Sequence, residues 1–558
     1  MKTVLAEPAR LAASTPHAPR VGQAAWKAVA VALAVLVAIP ILAVLGSLAW
    51  PAWDIWAHLW RTQMLELVGN TALLLLGVGV GTLGLGTFLA WLVVTYRFPG
   101  RSVIEWGLIL PLAVPTYVMG FVFLGLLDFA GPVQTALRGV LGPELRLPEP
   151  RSSGGVIVVM TLVLYPYVYT LARAAFLEQT PDTLEAARGL GRTRLRAFLA
   201  VTLPMARPSL ASGLSLALME ALADFGTVAT FGYRTLTEGI YRVWHGMFDR
   251  LAATQLAVVL LGFAALLLAL ERLSRGRARY WQQGRHGRPP TPIPLTGLRA
   301  ATATGTCLSV LVLAFGVPVG QLVVWAWRAL ASRGIPPDFA AQLQASLALA
   351  AVTAVAAGAM AAILAYAVRF ERSRTVTGSA RFAAMGYALP GSVIAVGVLL
   401  PLGWLDQALG ALLPTRATVD SPILTGSAAG LVFAYLVRFL AVSFQSVEAS
   451  LTKIPGALDE AARSLGAPFG RTLRQIHLPL VRRGMLAALT LVFVDVMKEM
   501  PATILLRPFT LNTLAIGVWL KTAESMWEDA AVPALAIVVA GLVPVALTLR
   551  GMARDTRR

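Results

Sequence analysis

The sequence predicts an all-α protein that crosses a membrane about twelve times and is built from two parallel six-helix repeats. The first observation is composition: 57% of the 558 residues are hydrophobic and only 13% are charged, whereas a soluble domain carries about 25% charged residues. The second is that the apolar residues form blocks of membrane-spanning length. The third is that matching residues recur at a fixed offset of 275 positions.

Twelve apolar blocks predict the membrane helices. They lie near 26–49, 67–95, 103–128, 154–178, 207–231, 253–271, 300–327, 341–368, 382–404, 425–446, 483–506 and 530–549. At a rise of about 1.5 Å per residue, blocks of about 17–29 residues can cross a hydrocarbon core of about 30 Å. The first block is longer than the apolar region of a cleaved signal peptide, so we expect it to be a retained helix.

Lysine and arginine are distributed unequally between the two sets of loops. The termini and alternate loops hold 33 of the 47 basic residues. Because positively charged loops stay in the cytoplasm, both termini are predicted to be cytoplasmic, which requires an even number of spans. The net charge of +19 then reflects orientation in the lipid bilayer, and no nucleic-acid partner is expected.

The internal repeat divides the chain. Residues 185–188 (Glu-Ala-Ala-Arg) recur as residues 460–463, Gly191 recurs as Gly466, and a Leu-Pro pair follows each glycine at the same distance. An even six-span half inserts with the same orientation each time, so the pseudo-twofold axis lies along the membrane normal. The predicted units are a first half (1–271), a basic cytoplasmic linker (272–299) and a second half (300–558).

The repeated segments, 182–204 and 455–479, predict two cytoplasmic elbows in which a glycine joins two short helices. In the first elbow Asp182 and Glu185 occupy capping-box positions, and the glycine supplies the left-handed residue that ends the first helix. Small residues allow a partner to approach closely. The residues expected to contact that partner are Glu185, Ala186, Ala187, Gly191, Glu460, Ala461, Ala462 and Gly466.

These segments resemble the "EAA" loops of bacterial ATP-binding-cassette (ABC) importer permeases. The matching pattern is Glu-Ala-Ala, a glycine six residues after the glutamate, and Leu-Pro 13 residues after that glycine. The resemblance implies the type I importer fold in the bacterial inner membrane, with one copy of a cytoplasmic ATPase on each elbow and a periplasmic substrate-binding protein outside. The alternative is a structural loop with no ATPase partner.

The same resemblance implies that this chain is a transport subunit and not an enzyme. No catalytic residue is assigned and no cofactor is expected on this chain, since ATP and Mg²⁺ would bind the separate ATPase. The sequence agrees, because it contains no G-x-x-x-x-G-K-[ST] phosphate loop.

Acidic residues recur inside the span that follows each elbow. Glu220 and Asp224 lie in the first and Asp495 and Glu499 in the second, each pair on one helix face. Ionisable groups at such depth usually face the bundle interior or a water-filled route. We interpret the four acids as candidates for the translocation path of a cationic or hydrogen-bonding substrate. The alternative is a structural network in which Lys498 pairs with Asp495 or Glu499.

The substrate prediction rests on resemblance. The stretches "LADFGTVATFG" and "VMKEMPATILLRPFTLNTLA" resemble the fused ferric-iron importer permeases, which implies Fe³⁺ as the cargo. The same importer class for thiamine, a polyamine or an oxyanion stays open, as does an ion-coupled secondary transporter or channel, which would need no ATPase. No metal site is assigned, because the chain has one cysteine and its five histidines are scattered without metal-ligand spacing.

Two further patterns are interpreted as structural. Tyr165, Tyr167 and Tyr169 surround Pro166 in the fourth span, which favours an aromatic contact or a helix kink over substrate binding. The second span is rich in glycine, which predicts close helix packing.

Overall fold

The computed structural model describes residues 20–179, 189–191, 193–275, 292–371, 373–412 and 423–555. The helices of the first half are α1 (Arg20–Gly46), α2 (Trp53–Thr62), α3 (Met64–Thr95), α4 (Arg101–Gly107), α5 (Thr116–Leu127), α6 (Pro132–Leu141), α7 (Ser153–Glu178), α8 (Arg194–Ala197), α9 (Leu203–Met205), α10 (Arg207–Ala223), α11 (Gly226–Thr230), α12 (Leu236–Gly246) and α13 (Arg250–Arg275). Those of the second half are α14 (Gly297–Leu311), α15 (Val317–Arg333), α16 (Phe339–Phe370), α17 (Arg374–Ala383), α18 (Gly391–Leu412), α19 (Ala428–Leu451), α20 (Gly456–Ser464), α21 (Phe469–Thr472), α22 (Leu478–Met497), α23 (Pro501–Leu506), α24 (Leu514–Ala523) and α25 (Trp527–Asp555).

Short irregular turns connect some of these helices. The 3₁₀ turns are Ser47–Ala49, Leu110–Ala113 and Gly386–Ala388, and the π turns are Phe198–Thr202, Val312–Gly316 and Leu473–His477. Two-residue strands β1 (Tyr96–Arg97) and β2 (Ile293–Pro294) pair in parallel. This pairing fastens the end of the predicted linker to the loop after α3. Linker residues 276–291 lie outside the described residues.

Ten helical stretches among the described residues are long and apolar enough to cross a membrane. The predicted all-α, multi-pass membrane fold is therefore confirmed. Four of the predicted blocks, 103–128, 207–231, 382–404 and 483–506, are not continuous helices, and that detail of the prediction is wrong. Block 103–128 is interrupted between α4 and α5, and block 382–404 between α17 and α18. Block 207–231 is interrupted between α10 and α11, and block 483–506 between α22 and α23.

Several elements of the two halves have the same bounds after the shift of 275 residues. Helix α3 runs from 64 to 95 and α16 from 339 to 370, a shift of 275 residues at both ends. The π turns at 198–202 and 473–477 shift by the same amount, and both interrupted helices occupy matching positions. The offset seen in the sequence thus recurs as an offset in local structure.

The first long helix of each half packs against the other half. Helix α1 lies along α17 and α18, where a methyl group on Gly397 would come within 2.4 Å of the Pro40 carbonyl oxygen. Helix α15 in turn contacts α5, where a methyl group on Gly125 would lie 2.6 Å from the Trp325 ring. The two halves are therefore interlocked, and both apolar clusters contain residues of each half.

Glycines in α3 allow the close approach of α7, as their spacing in the sequence predicts. A methyl group on Gly77 would lie 2.5 Å from the Ile157 side chain, and one on Gly81 would lie 2.5 Å from the Thr161 hydroxyl. Larger residues at these positions would force the two helices apart.

Candidate functional site

A central cavity lies where the two interrupted helices meet. It has a volume of about 80 Å³ and is lined by residues of both halves. The four acids predicted to line a translocation path all border it, as do two cationic residues and three tyrosines. These lining residues are Glu220, Asp224, Asp495, Glu499, Arg438, Lys498, Tyr117, Tyr167 and Tyr387.

Asp224 sits at the break between α10 and α11. Its carboxylate accepts hydrogen bonds from the backbone N–H of Thr227 at 2.7 Å, from the Thr227 hydroxyl at 2.8 Å and from the Thr116 hydroxyl. The side chain thereby caps the first turn of α11, which explains why a helix restarts here without a proline. Asp224 is only 7% exposed and has no cationic partner among the described residues.

Glu499 occupies the equivalent break between α22 and α23. It accepts a hydrogen bond from the Ala502 N–H at 3.0 Å, as Asp224 does from Thr227. It also pairs with the Arg438 guanidinium at 2.8 Å. A methyl group on Gly391 would lie 2.3 Å from Nη1 of Arg438, so a larger residue here would displace the guanidinium. The ion pair joins α19 to the break between α22 and α23. The structural-network alternative predicted a pairing of this kind, but with Lys498 as the cation.

Glu220 and Asp495 lie one turn earlier on their helices. The Tyr387 hydroxyl donates to Glu220 at 2.8 Å, and Glu220 has no ion pair within the described ranges. Asp495 is paired with Lys498 at 2.9 Å, three residues along the same helix end. The pairing predicted between Lys498 and Asp495 is thus present, but it lies within one segment and does not by itself connect two helices.

The three tyrosines of α7 have different environments. The Tyr165 hydroxyl donates to the Leu108 carbonyl at 2.9 Å, and the Tyr169 hydroxyl donates to the Glu105 carbonyl at 2.8 Å. The structural interpretation of those two is correct. Tyr167 borders the cavity instead. The signal was present in the spacing, since residues 165 and 169 share a helix face and residue 167 faces away from it.

Sequence reasoning also missed Arg438, Tyr387 and Tyr117 as cavity residues. Arg438 carries a detectable signal, because an arginine inside an apolar block is rare unless it is paired. The tyrosines carry none, since isolated tyrosines are common in membrane helices. Within the described residues no group of three or more His, Cys, Asp or Glu side chains has an arrangement that could hold a metal ion.

The second predicted elbow is described nearly completely. Helix α20 ends before Gly466, whose φ of +70° is the left-handed conformation predicted for it, and α21 follows. Glu460, Ala461 and Gly466 are exposed, and Leu465 next to them is 86% exposed. Ala462 is buried, so it packs the elbow against its own chain and is not available for the predicted partner contact.

The first elbow is described only in part. Residues 180–188, which include Glu185, Ala186 and Ala187, and residue 192 lie outside the described residues. Gly191 is described and has the predicted left-handed φ of +83°. Leu190 is 85% exposed, matching Leu465 at the equivalent position.

A buried polar network supports the second elbow. Asp459 accepts from the Arg369 guanidinium at 2.6 Å and lies 2.6 Å from Nε2 of His477. His477 is fully buried and stacks on Tyr366 with ring centroids 5.6 Å apart. His477 lies in a π turn and is held in the protein interior by these contacts. Its partner Asp459 is 18 residues away in the sequence, and this spacing matches no metal-binding or catalytic motif.

Comparison with known proteins agrees with these features. A family described as "Binding-protein-dependent transport system inner membrane component" matches residues 82–279. A Fe(3+)-transport system permease protein of Haemophilus influenzae is 28% identical over 88% of this chain and 90% of its own length.

Two shorter relatives match a single half. The sulfate transport system permease protein CysT of Salmonella typhimurium is 30% identical over 38% of this chain and 78% of its own length. The molybdenum transport system permease protein ModB of Escherichia coli K12 is 30% identical over 39% of this chain and 96% of its own length. With these similarities and its multi-pass helical fold, the chain belongs to the binding-protein-dependent transport system permeases, the membrane-spanning subunits of ABC importers.

Proposed function

We propose that this chain forms the transmembrane pathway of an ATP-driven importer that moves Fe³⁺ from a periplasmic binding protein to the cytoplasm. The observation that carries the proposal is the central cavity, in which four carboxylates from two equivalent helices face two cationic side chains. An excess of carboxylates favours a cationic cargo.

The length of chain over which each relative is similar supports iron over the other candidate cargoes. The ferric-iron permease relative is similar across both halves, whereas the sulfate and molybdenum relatives each match less than half of this chain. A single chain that supplies both halves is therefore a feature shared with the iron permease.

The exposed elbow supports coupling to an ATPase. Glu460 and Leu465 are exposed beside Gly466. The chain continues from this elbow through α21 and a π turn into α22, so a partner's movement at the elbow can be transmitted to α22. We propose one ATPase copy on each elbow, with ATP and Mg²⁺ bound there. ATP binding would close the ATPase pair and open the cavity outward, and hydrolysis would reset it. Both termini and both elbows would face the cytoplasm of a bacterial inner membrane.

Uptake of radioactive ferric iron by iron-limited cells tests this proposal, with thiamine uptake as the control. We expect deletion of the gene to abolish energy-dependent iron entry selectively. The intact gene should restore it, whereas a variant with Glu185→Gln and Glu460→Gln together should not. Unchanged iron entry in cells that lack other iron importers would contradict the iron assignment.

An oxyanion is the second candidate cargo. It is favoured by Arg438 and Lys498 in the cavity lining and by the sulfate and molybdenum relatives. The same cells distinguish the two, because loss of molybdate or sulfate uptake with intact iron uptake would support the oxyanion.

A further inference from the structure

We infer that Glu220 is the acid of the central cavity that binds the cationic cargo, and that Lys498 is a tethered counter-cation that the cargo displaces. The inference rests on the proposed import of a cation. It adds that the four acids have different tasks, although the duplication places them at equivalent positions.

Two of the four acids are committed to holding the helix breaks. Asp224 and Glu499 each accept a backbone N–H from the helix that restarts after the break. Asp224 is further bound by two threonine hydroxyls and Glu499 by Arg438. Both side chains are almost fully buried, and their lone pairs are largely used by the protein. A cargo ion that took them would break the capping.

The remaining pair, Glu220 and Asp495, differ in their partners. Asp495 already has a cation, the Lys498 ammonium at 2.9 Å. Glu220 receives one phenol hydrogen bond from Tyr387 and is partly exposed to the cavity. Among the described acids of the cavity, Glu220 is therefore the one with neither a cation nor a backbone donor.

Lys498 has the properties of a displaceable counter-cation. An ammonium is a compact charge on a flexible stem, and this side chain is 31% exposed while lying beside Asp495. The equivalent residue of the first half is Ala223, so the duplication supplies this charge once. An incoming cation that binds Glu220 would repel the ammonium, and departure of the cation would let it return to Asp495.

A second observation, independent of the acids, indicates that the cavity holds a ligand. The Tyr117 side chain borders it and is only 7% exposed, yet its hydroxyl has no hydrogen-bond partner within the described residues. Buried polar atoms are normally satisfied by protein, water or ligand. The ligand class that fits carboxylate and phenol oxygens is a hard cation, with Tyr167 and Tyr387 beside Glu220.

Equilibrium binding of Ga³⁺, a redox-inert trivalent cation, to the purified full chain in lipid nanodiscs tests the inference. Glu220→Gln should weaken Ga³⁺ binding about tenfold or more, since it removes the unpaired charge. Lys498→Gln should strengthen binding, because it removes the competing ammonium. Glu66→Gln, in an exposed pair with Arg234, is the matched control outside the cavity and should change nothing.

The opposite signs separate this inference from a purely structural role. If the two side chains only held the fold together, both variants would lower thermal stability and neither would strengthen binding. Weakening by both variants, no change in either, or no binding of any cation would overturn the inference.

Failure of the iron assignment has a different signature. If Ga³⁺ does not bind, but Glu220→Gln weakens spermidine binding and Lys498→Gln strengthens it, the roles of Glu220 and Lys498 are supported and the iron cargo is contradicted. If cells import ferric iron through this chain but Glu220→Gln leaves Ga³⁺ binding intact, the importer function stands and the role of Glu220 falls.

Discussion

The two halves share a backbone plan but differ in their buried charges. Helices α3 and α16 have equivalent ends, and each half has its interrupted helix at the same place. In the second half the polar side chains are paired: Glu499 with Arg438, Asp495 with Lys498, and Asp459 with Arg369 and His477. The first half has no counterpart of these cations. The residues at the positions equivalent to Arg438, Lys498, Arg369 and His477 are Val163, Ala223, Val94 and Thr202.

This difference shows what a fused chain permits. In a symmetric homodimer every substitution appears twice, so an acid and its neutralising cation would be present in both subunits. One chain with two halves can leave the cavity acids of one half without cations while pairing those of the other. The helix bounds are retained because packing requires them, while the charges have diverged.

The largest expected effect comes from removing the cation of the buried pair. Arg438→Met should destabilise the chain by about 3–5 kcal/mol, because it leaves the Glu499 carboxylate buried without compensation. At the first break, Thr116→Val should cost about 1–3 kcal/mol, since it removes one hydroxyl donor to Asp224. Thermal unfolding in detergent measures both. Equal losses would contradict the contrast drawn between the two breaks.

A steric change at the same break should have the next largest effect. Gly391→Ala places a methyl group 2.3 Å from Nη1 of Arg438 and 2.7 Å from Oε1 of Glu499. Displacing the guanidinium should cost about 1–3 kcal/mol, as overpacking of a filled site does. The matched control is Gly403→Ala, in the same helix, where a methyl group would meet nothing within 4 Å. A stability loss at Gly403 as large as that at Gly391 would show that the pair is not the cause.

Two adjacent residues of the second elbow should have different roles: Asp459 in stability and Glu460 in coupling to the ATPase. Asp459→Asn weakens the contacts to Arg369 and His477 and should cost about 1–3 kcal/mol, as other buried charged hydrogen bonds do. Its neighbour Glu460 is exposed, so Glu460→Gln should leave the unfolding temperature unchanged while lowering iron uptake. Loss of stability in Glu460→Gln, or normal uptake with that variant, would contradict the assignment of Glu460 to the partner surface.

The smallest effect is expected at an exposed ion pair. Arg333 contacts Asp529 at 2.8 Å and Glu528 at 3.1 Å, but its side chain is half exposed. Arg333→Gln should cost less than about 1 kcal/mol, and the cost should shrink at high salt. Unfolding at two ionic strengths checks this. A large, salt-independent loss would mean that the second half depends on surface charge as well as on its buried pairs.

Much of the fold follows from local patterns in the sequence. Apolar blocks identify most spans, and the repeated elbows identify the duplication. Pro501 marks the second helix break, because proline cannot continue a helix from the preceding residues. The first break has no proline and depends on Asp224 reaching Thr227 and Thr116. The last of these contacts joins residues 108 positions apart, which no local pattern records.

Only the acidic residues of the site could be predicted from the sequence. Their position in apolar surroundings and their repetition pointed to a functional region. Their partners are distant in sequence: Tyr387 is 167 residues from Glu220, and Arg438 is 61 residues from Glu499. The sequence therefore could not show which acids are neutralised and which one stays unpaired. His477 was missed for the same reason, since its burial depends on packing against Tyr366.

Ferric iron uptake by two variants at equal membrane levels tests the central claim most directly. Glu220→Gln removes the unpaired acid of the first half, and Asp495→Asn combined with Lys498→Ala removes the neutral pair of the second. The unequal roles of the halves predict that Glu220→Gln lowers uptake about tenfold or more and that the double variant lowers it much less. Equal losses in the two variants, or a larger loss in the double variant, would contradict it.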